Sequence, residues 1–261
     1  MSSLIQNKVY INKEQHRYFD YAGNEFTSVS KILSMVKEPF DEKRLSAMTA
    51  KKLGVTQADV LADWKKKRDD AAGHGTRIHD AIEEYKNFFT IKPSNMDLEP
   101  MLKSIAQEHS GYARCYSEAL LYSPSFEKLG IRAAGTTDQI LKVSTRSRYV
   151  DIEDYKTNLR NGIEFHSKYN KYLLGPVSHM QECNYNTYSL QLSIYALMYE
   201  ELTGDLIRSL YIRFIPPNNP LGHYRIPVPY MKLEAWAVLN YFGEKTKADK
   251  ETSIFDEITF D

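Results

Sequence analysis

The chain has 261 residues, 34 Lys+Arg balanced by 34 Asp+Glu, and a hydrophobic fraction of 42%, the composition of a globular protein able to bury a core around one sheet. The absence of an eighteen-residue apolar run and of an apolar or Arg-rich leader reads as a cytoplasmic protein without a membrane span. Zero net charge argues against a broad basic surface, and the two cysteines, Cys115 and Cys183, are too few for a disulfide framework or a four-cysteine metal cluster and are expected reduced and buried.

Residues 18–26 (YFDYAGNEF) read as two short aromatic strands around an Ala-Gly-Asn turn, and Ser28 and Ser30 offer hydroxyl caps to a helix over 31–36 that Pro39 stops. Residues 41–70 are helical and charged. Between 41 and 68 eight Lys/Arg stand against four Asp/Glu, which marks a local basic strip containing Lys65, Lys66, Lys67 and Arg68. A further helix is predicted over 71–89, opened by Gly73 and Gly75, and another over 99–113.

The period then changes to that of strands at 118–122, 131–143 and 149–156, which suggests an antiparallel meander with a polar turn at 144–148. Residues 158–186 are polar and poorly periodic, a lid candidate. An amphipathic helix over 188–202, strands over 208–215 and 223–228, and a helix over 232–245 follow, with an acidic tail after Lys250. The order suits an α/β (α+β) chain with a central mixed β-sheet flanked by helices. Residues 1–261 are expected to form one domain: an N-terminal hairpin and basic helical region (1–70), a core (71–215) and C-terminal additions (216–261).

Side-chain alternation puts Val150, Ile152, Asp154 and Lys156 on one strand face, so an apolar strand ends in a carboxylate beside an ammonium group. That pair alone would serve as a structural ion pair at a strand end. Asp138 lies sixteen residues earlier, and pairing through the 144–148 turn brings it level with Asp154. Two adjacent carboxylates imply a bound cation or a raised pKa, and oxygen ligands of this kind suit magnesium or manganese. His79 and Glu83, and likewise Gln191 and Tyr195, stand one helical turn apart. His79 is expected near a helix start, where backbone N–H groups favour anions.

In this order the segments Gly75-x-x-x-His79, Gly135-x-x-Asp138, Asp154-x-Lys156-Thr157 and Gln191-x-x-x-Tyr195 resemble the PD-(D/E)XK nuclease superfamily and, within it, the RecB-like exonucleases, over about 130 residues. The resemblance implies a restriction-endonuclease-like core of order αβββαβ and a DNA exonuclease of phage or bacterial replication, recombination or repair that uses Mg2+ or Mn2+. It implies Asp138, Asp154 and Lys156 as catalytic residues. His79, Asp138, Asp154 and the Tyr155 carbonyl would hold metal, with Glu83 and Glu118 as flanking carboxylates. Gln191, Tyr195 and the basic run 65–68 would contact linear DNA or, for the helix pair, brace the site. The four cluster cysteines of the CRISPR-associated branch are missing, so no iron–sulfur cluster is expected. The motifs leave oligomeric state open, and two rivals stand beside the exonuclease: a nucleic-acid-binding module without catalysis and a site-specific endonuclease.

Overall fold

Apolar residues at alternate positions near the N-terminus build three short strands, β1 (Val9–Asn12), β2 (Arg17–Asp20) and β3 (Glu25–Ser28), whose Val9, Tyr18 and Phe26 are buried. The first of these has no counterpart in the sequence reading. The computed structural model describes residues 8–157 and 162–258, with side chains through residue 247; the acidic positions of the tail therefore lie outside the described side chains.

The Ser28 hydroxyl accepts from the Lys31 amide and caps α1 (Val29–Ser34). After α2 (Glu42–Leu53), a Thr56–Asp59 capping box opens α3 (Gln57–Phe88). The structure departs here from the expected break at 71: α3 runs through Gly73 and Gly75 as one helix of 32 residues. A helical glycine costs about 1 kcal/mol relative to alanine, but Gly75 permits a close approach, since a Cβ there would lie 3.1 Å from Thr157 Oγ1. His79 is consequently in mid-helix, where its neighbouring N–H groups are already bonded, and the expected anion-binding helix start does not exist at that position.

α4 (Glu99–His109) ends before 113 because β4 (Arg114–Tyr122) begins there. After a short α5 (Pro124–Lys128), β5 (Ala133–Lys142) and β6 (Tyr149–Lys156) complete the antiparallel meander, with β5 in the middle. α6 (Asn184–Thr203) carries the chain to β7 (Leu206–Phe214), parallel to β6, and β8 (Tyr224–Val228) and α7 (Lys232–Ile258) follow. The eight strands form one mixed sheet in the order β1-β2-β3-β5-β6-β7-β8, with β4 paired to β5. Among the described residues no helix is long and apolar enough to cross a membrane.

Ile140, Val150, Ile152 and Ile212 join the core shared with α6. That helix is not amphipathic: Leu190, Leu192, Ile194, Ala196 and Met198 are all buried, because α1, α7 and the sheet enclose it. The described part of the expected lid is also packed. Leu173, Val177 and Met180 enter the core, Tyr172 bridges to Gln181, and the helix starts at 184 rather than 188. Cys183 is buried but Cys115 is exposed, contrary to expectation.

The other sheet face receives α3 and α4 through Ile78, Ile82, Leu102 and Tyr155. Beside them lies a buried ionic network that no motif announced. Glu153 accepts from Arg213 Nε at 2.7 Å, pairs with Arg225 Nε at 2.6 Å and lies 3.0 Å from His109 Nε2. Burial acts to raise the Glu153 carboxyl, but His109 and Arg213 outweigh it and hold it well below the usual carboxylate range. Because the folded value is depressed, its contribution is complete above the unfolded value near 4.5 and is lost as pH falls. Glu153→Gln is expected to lower unfolding free energy by about 3 kcal/mol at neutral pH and to flatten the acid limb of a stability profile; denaturant titrations showing an unchanged midpoint and acid limb would refute this.

Candidate active site

Asp138 stands where one edge of β5 changes partner. At 133–134 that strand pairs with β3, and from Gln139 onward with β6, so the intervening positions open into space. Gly135, Thr136 and Asp138 line the resulting cavity, about 660 Å3 in volume, together with His79, Glu83, Glu118, Asp154, Tyr155, Lys156, Gln191 and Tyr195.

The register brings three carboxylates to one level on three adjacent strands. Gln139 lies opposite Glu153 on β6, and one further step sets Asp138 against Asp154, the juxtaposition expected from the 144–148 turn. On the other side, Ser117 lies opposite Gln139 and Ala119 opposite Thr137, which sets Glu118 against Asp138. Glu118 adopts a φ of 51°, a left-handed kink within an otherwise regular strand. Such backbone is costly for a residue with a Cβ and is held only where its surroundings enforce it.

The groups that converge differ from the expected metal set. Ligand atoms of His79, Glu118 and Asp138 all lie within 4.8 Å of one another, and His79 Nδ1 is 3.2 Å from Asp138 Oδ1. Asp154 is instead turned to Lys156, whose Nζ lies 2.5 Å from Asp154 Oδ2. Glu118, expected only to flank the centre, thus takes the place beside His79 and Asp138. Tyr155 contributes a backbone amide that donates to Asp138 Oδ2, and its ring meets His79 edge-on at 5.7 Å.

The electrostatics follow from crowding. Burial, reinforced by Asp138 and Glu83, pushes the Glu118 carboxyl up to about 8. Burial also raises the Asp154 carboxyl, with Asp138 adding to the rise and Lys156 opposing it. For Asp138 burial acts upward but His79, Lys156 and the Tyr155 amide prevail, so its carboxyl lies below the ordinary value. His79 shows the reciprocal balance: burial acts downward, Asp138 and Asp154 outweigh it, and the imidazole is raised to about 9.

Lys156 is fixed from three sides. It donates to Gln191 Oε1 at 3.2 Å, lies 4.5 Å from the centroid of the Tyr188 ring, and pairs with Asp154. Gln191 Nε2 in turn donates to Tyr195 Oη at 3.1 Å, and Tyr195 is only 4% exposed. Gln191 and Tyr195 thus form a hydrogen-bonded chain to Lys156, and both also line the cavity. Tyr188 escaped the sequence reading, although Tyr188, Gln191 and Tyr195 follow helical spacing along one stripe.

The basic run splits in two. Lys65 and Arg68 continue, at steps of three and four, the α3 stripe of Ala72, Gly75, His79 and Glu83 that lines the cavity, whereas Lys66 and Lys67 leave it. Arg68 pairs with Glu42 at 2.8 Å and Lys67 with Asp63 at 2.5 Å.

No family model matches the chain, and no curated protein does. Among solved structures it is similar to a candidate exonuclease from Eubacterium rectale, at 16% identity over 65% of this chain with a TM-score of 0.40. The chain spans 63% of that protein's length. It is also similar to the alkaline exonuclease LHK-Exo from Laribacter hongkongensis, at 12% identity over 63% of this chain and 73% of that one, with a TM-score of 0.37.

Gly135 is the position where this site tolerates least. A Cβ there would lie 2.5 Å from Tyr195 Cε1 and 3.2 Å from Val29 Cγ2. Gly135→Ala is expected to cost about 1–3 kcal/mol through overpacking and to displace the Tyr195–Gln191–Lys156 chain. Thermal melts of the variant, compared with Gly73→Ala, where nothing lies within 4 Å of the added atom, should show the larger loss at Gly135.

Proposed function

We propose that this protein is a divalent-metal-dependent DNA exonuclease that hydrolyses phosphodiester bonds. The observation that carries the proposal is the level set of Glu118, Asp138 and Asp154 on three adjacent strands, with His79 above it and a braced Lys156 beside it in an open cavity.

The donor set suits a metal. Carboxylate oxygens with one imidazole match magnesium or manganese, and a centre that must otherwise retain protons on Glu118 and His79 is relieved by a divalent charge. His79, Glu118 and Asp138 would hold the ion, with Asp154 and the Tyr155 carbonyl as the further ligands implied by the resemblance. Such an ion would supply an activated water and polarise the phosphate. The chain's own contribution is positional: Lys156, held by Asp154, Gln191 and Tyr188, sets a positive charge where the phosphate oxygens gain negative charge in the transition state. Asp154 keeps that ammonium charged, since burial would otherwise depress it.

The catalytically silent binding module is disfavoured by this convergence, because a fold that only binds nucleic acid has no need of two buried carboxylates and a half-buried third at one level. The endonuclease reading makes a different prediction on substrate form: an exonuclease spares closed circular DNA.

Purified protein is expected to release nucleotides from linear DNA with magnesium or manganese and not with EDTA. Lys156→Ala and Asp138→Ala are each expected to reduce the rate by about 10²-fold or more while circular dichroism shows the fold retained; full activity in both variants would sink the assignment. Removing Lys65 and Arg68 together should weaken DNA binding and lower its salt dependence more than removing Lys66 and Lys67, as competition titrations at several ionic strengths can show. Equal effects would place DNA elsewhere.

A further inference from the structure

The cavity wall carries four basic side chains, Lys13, His16, His79 and Lys156. Two of them are engaged internally, His79 by Asp138 and Lys156 by Asp154. Lys13 and His16 are exposed, and among the described residues neither forms an ion pair, whereas their neighbour Arg17 is tied to Glu25.

Both stand at the tip of the β1–β2 hairpin. Ile11 pairs with Tyr18 and Asn12 with Arg17, so Lys13 and His16 face each other across the Glu14–Gln15 turn, on the hairpin face that bears Ile11 and Tyr18. All four of those residues line the cavity. The tip is tied down: Tyr18 Oη lies 3.4 Å from Thr136 Oγ1, two residues before Asp138, and the His16 ring meets Tyr18 edge-on at 5.8 Å. A second groove of about 380 Å3 shares His16 and Tyr18 with the cavity and continues to Lys31, so the tip overlooks a channel that runs on past it.

This arrangement answers a problem of the site. Asp80, Glu83, Glu118, Asp138 and Asp154 all line the cavity, so the phosphates that flank a scissile bond would meet acidic walls. A free ammonium on Lys13, with the His16 imidazole beside it as a hydrogen-bond donor, gives those phosphates a favourable contact on a fixed hairpin. We propose that Lys13 and His16 bind the phosphate next to the scissile one, in a nucleic-acid strand laid from the carboxylate centre across the hairpin tip toward Lys31. The proposal rests on the phosphodiesterase reading and adds a positioning role for a segment outside the motifs.

The test compares Lys13→Gln/His16→Gln with wild type on two substrates: a labelled oligodeoxynucleotide, and bis(p-nitrophenyl) phosphate, a diester with no second phosphate. In calcium, the double variant is expected to bind the oligonucleotide about tenfold more weakly, with a salt slope reduced by about one to two. In magnesium or manganese its KM for the oligonucleotide should rise with kcat little changed, hydrolysis of the small diester should match wild type, and Lys13→Arg should restore most of the binding. An unchanged salt slope, or equal losses on both substrates, would overturn the proposal. Wild-type protein that binds the oligonucleotide with this Lys13- and His16-dependent slope but hydrolyses neither substrate would support the clamp and overturn the catalytic reading, and wild-type protein that does not bind at all would overturn both.

Discussion

The repulsion among Glu118, Asp138 and Asp154 organises this molecule. Strand pairing places them side by side at one level of the sheet, where burial of Asp138 and Asp154 weakens the screening of their charges. Each is answered by a different device. Asp138 receives the His79 imidazole and a backbone amide, Asp154 receives Lys156, and Glu118 is pushed up by burial, Asp138 and Glu83 more than His79 and Lys13 pull it down. The residue with the least compensation is also the one on strained backbone. Strain and a raised carboxyl thus fall on the same residue.

Holding such a centre requires a rigid β6, and the far side of the sheet supplies one. Alternation along this strand sends Asp154 and Lys156 to the cavity and Asp151 and Glu153 to the opposite face. There Glu153 is locked by Arg213, Arg225 and His109, while Asp151 accepts from Arg208 Nε at 2.9 Å. Gln139, opposite Glu153 on β5, accepts from Lys86 of α3 at 2.7 Å, so the helix that delivers His79 is tied through the sheet to the strand that carries Asp138. Charge on one face thus fixes the registers on which the other face depends.

Much of this was legible in the sequence because it is local. The meander, its turn at 144–148 and the resulting level of Asp138 and Asp154 follow from strand periodicity and loop length alone. What the sequence concealed is set by contacts distant along the chain. Gly73 and Gly75 look like a helix boundary, yet tertiary contact with Thr157 makes Gly75 a point of close approach inside a long helix. The α6 helix looks amphipathic because its Ser, Gln and Tyr residues are polar in composition, but Ser189 and Ser193 bond back to carbonyls one turn earlier and are buried. Glu118 carries no motif; its partnership with Asp138 depends on a register across β4 and β5 that only long-range pairing defines.

The neutral charge of the chain takes its meaning from how its charges are partitioned. Many are consumed in pairs: Arg213 and Arg225 with Glu153, Arg208 with Asp151, Lys142 with Asp205, Lys232 with Glu200. Such pairs add to the totals of both signs without adding to the field a ligand meets outside. Around the cavity the balance is different: Asp138 and Asp154 are buried at the sheet, whereas Lys13 and His16, on the hairpin that helps to line it, are exposed. A chain can therefore be neutral in sum and still present local concentrations of one sign, so its net charge alone does not decide the charge of the ligand it meets.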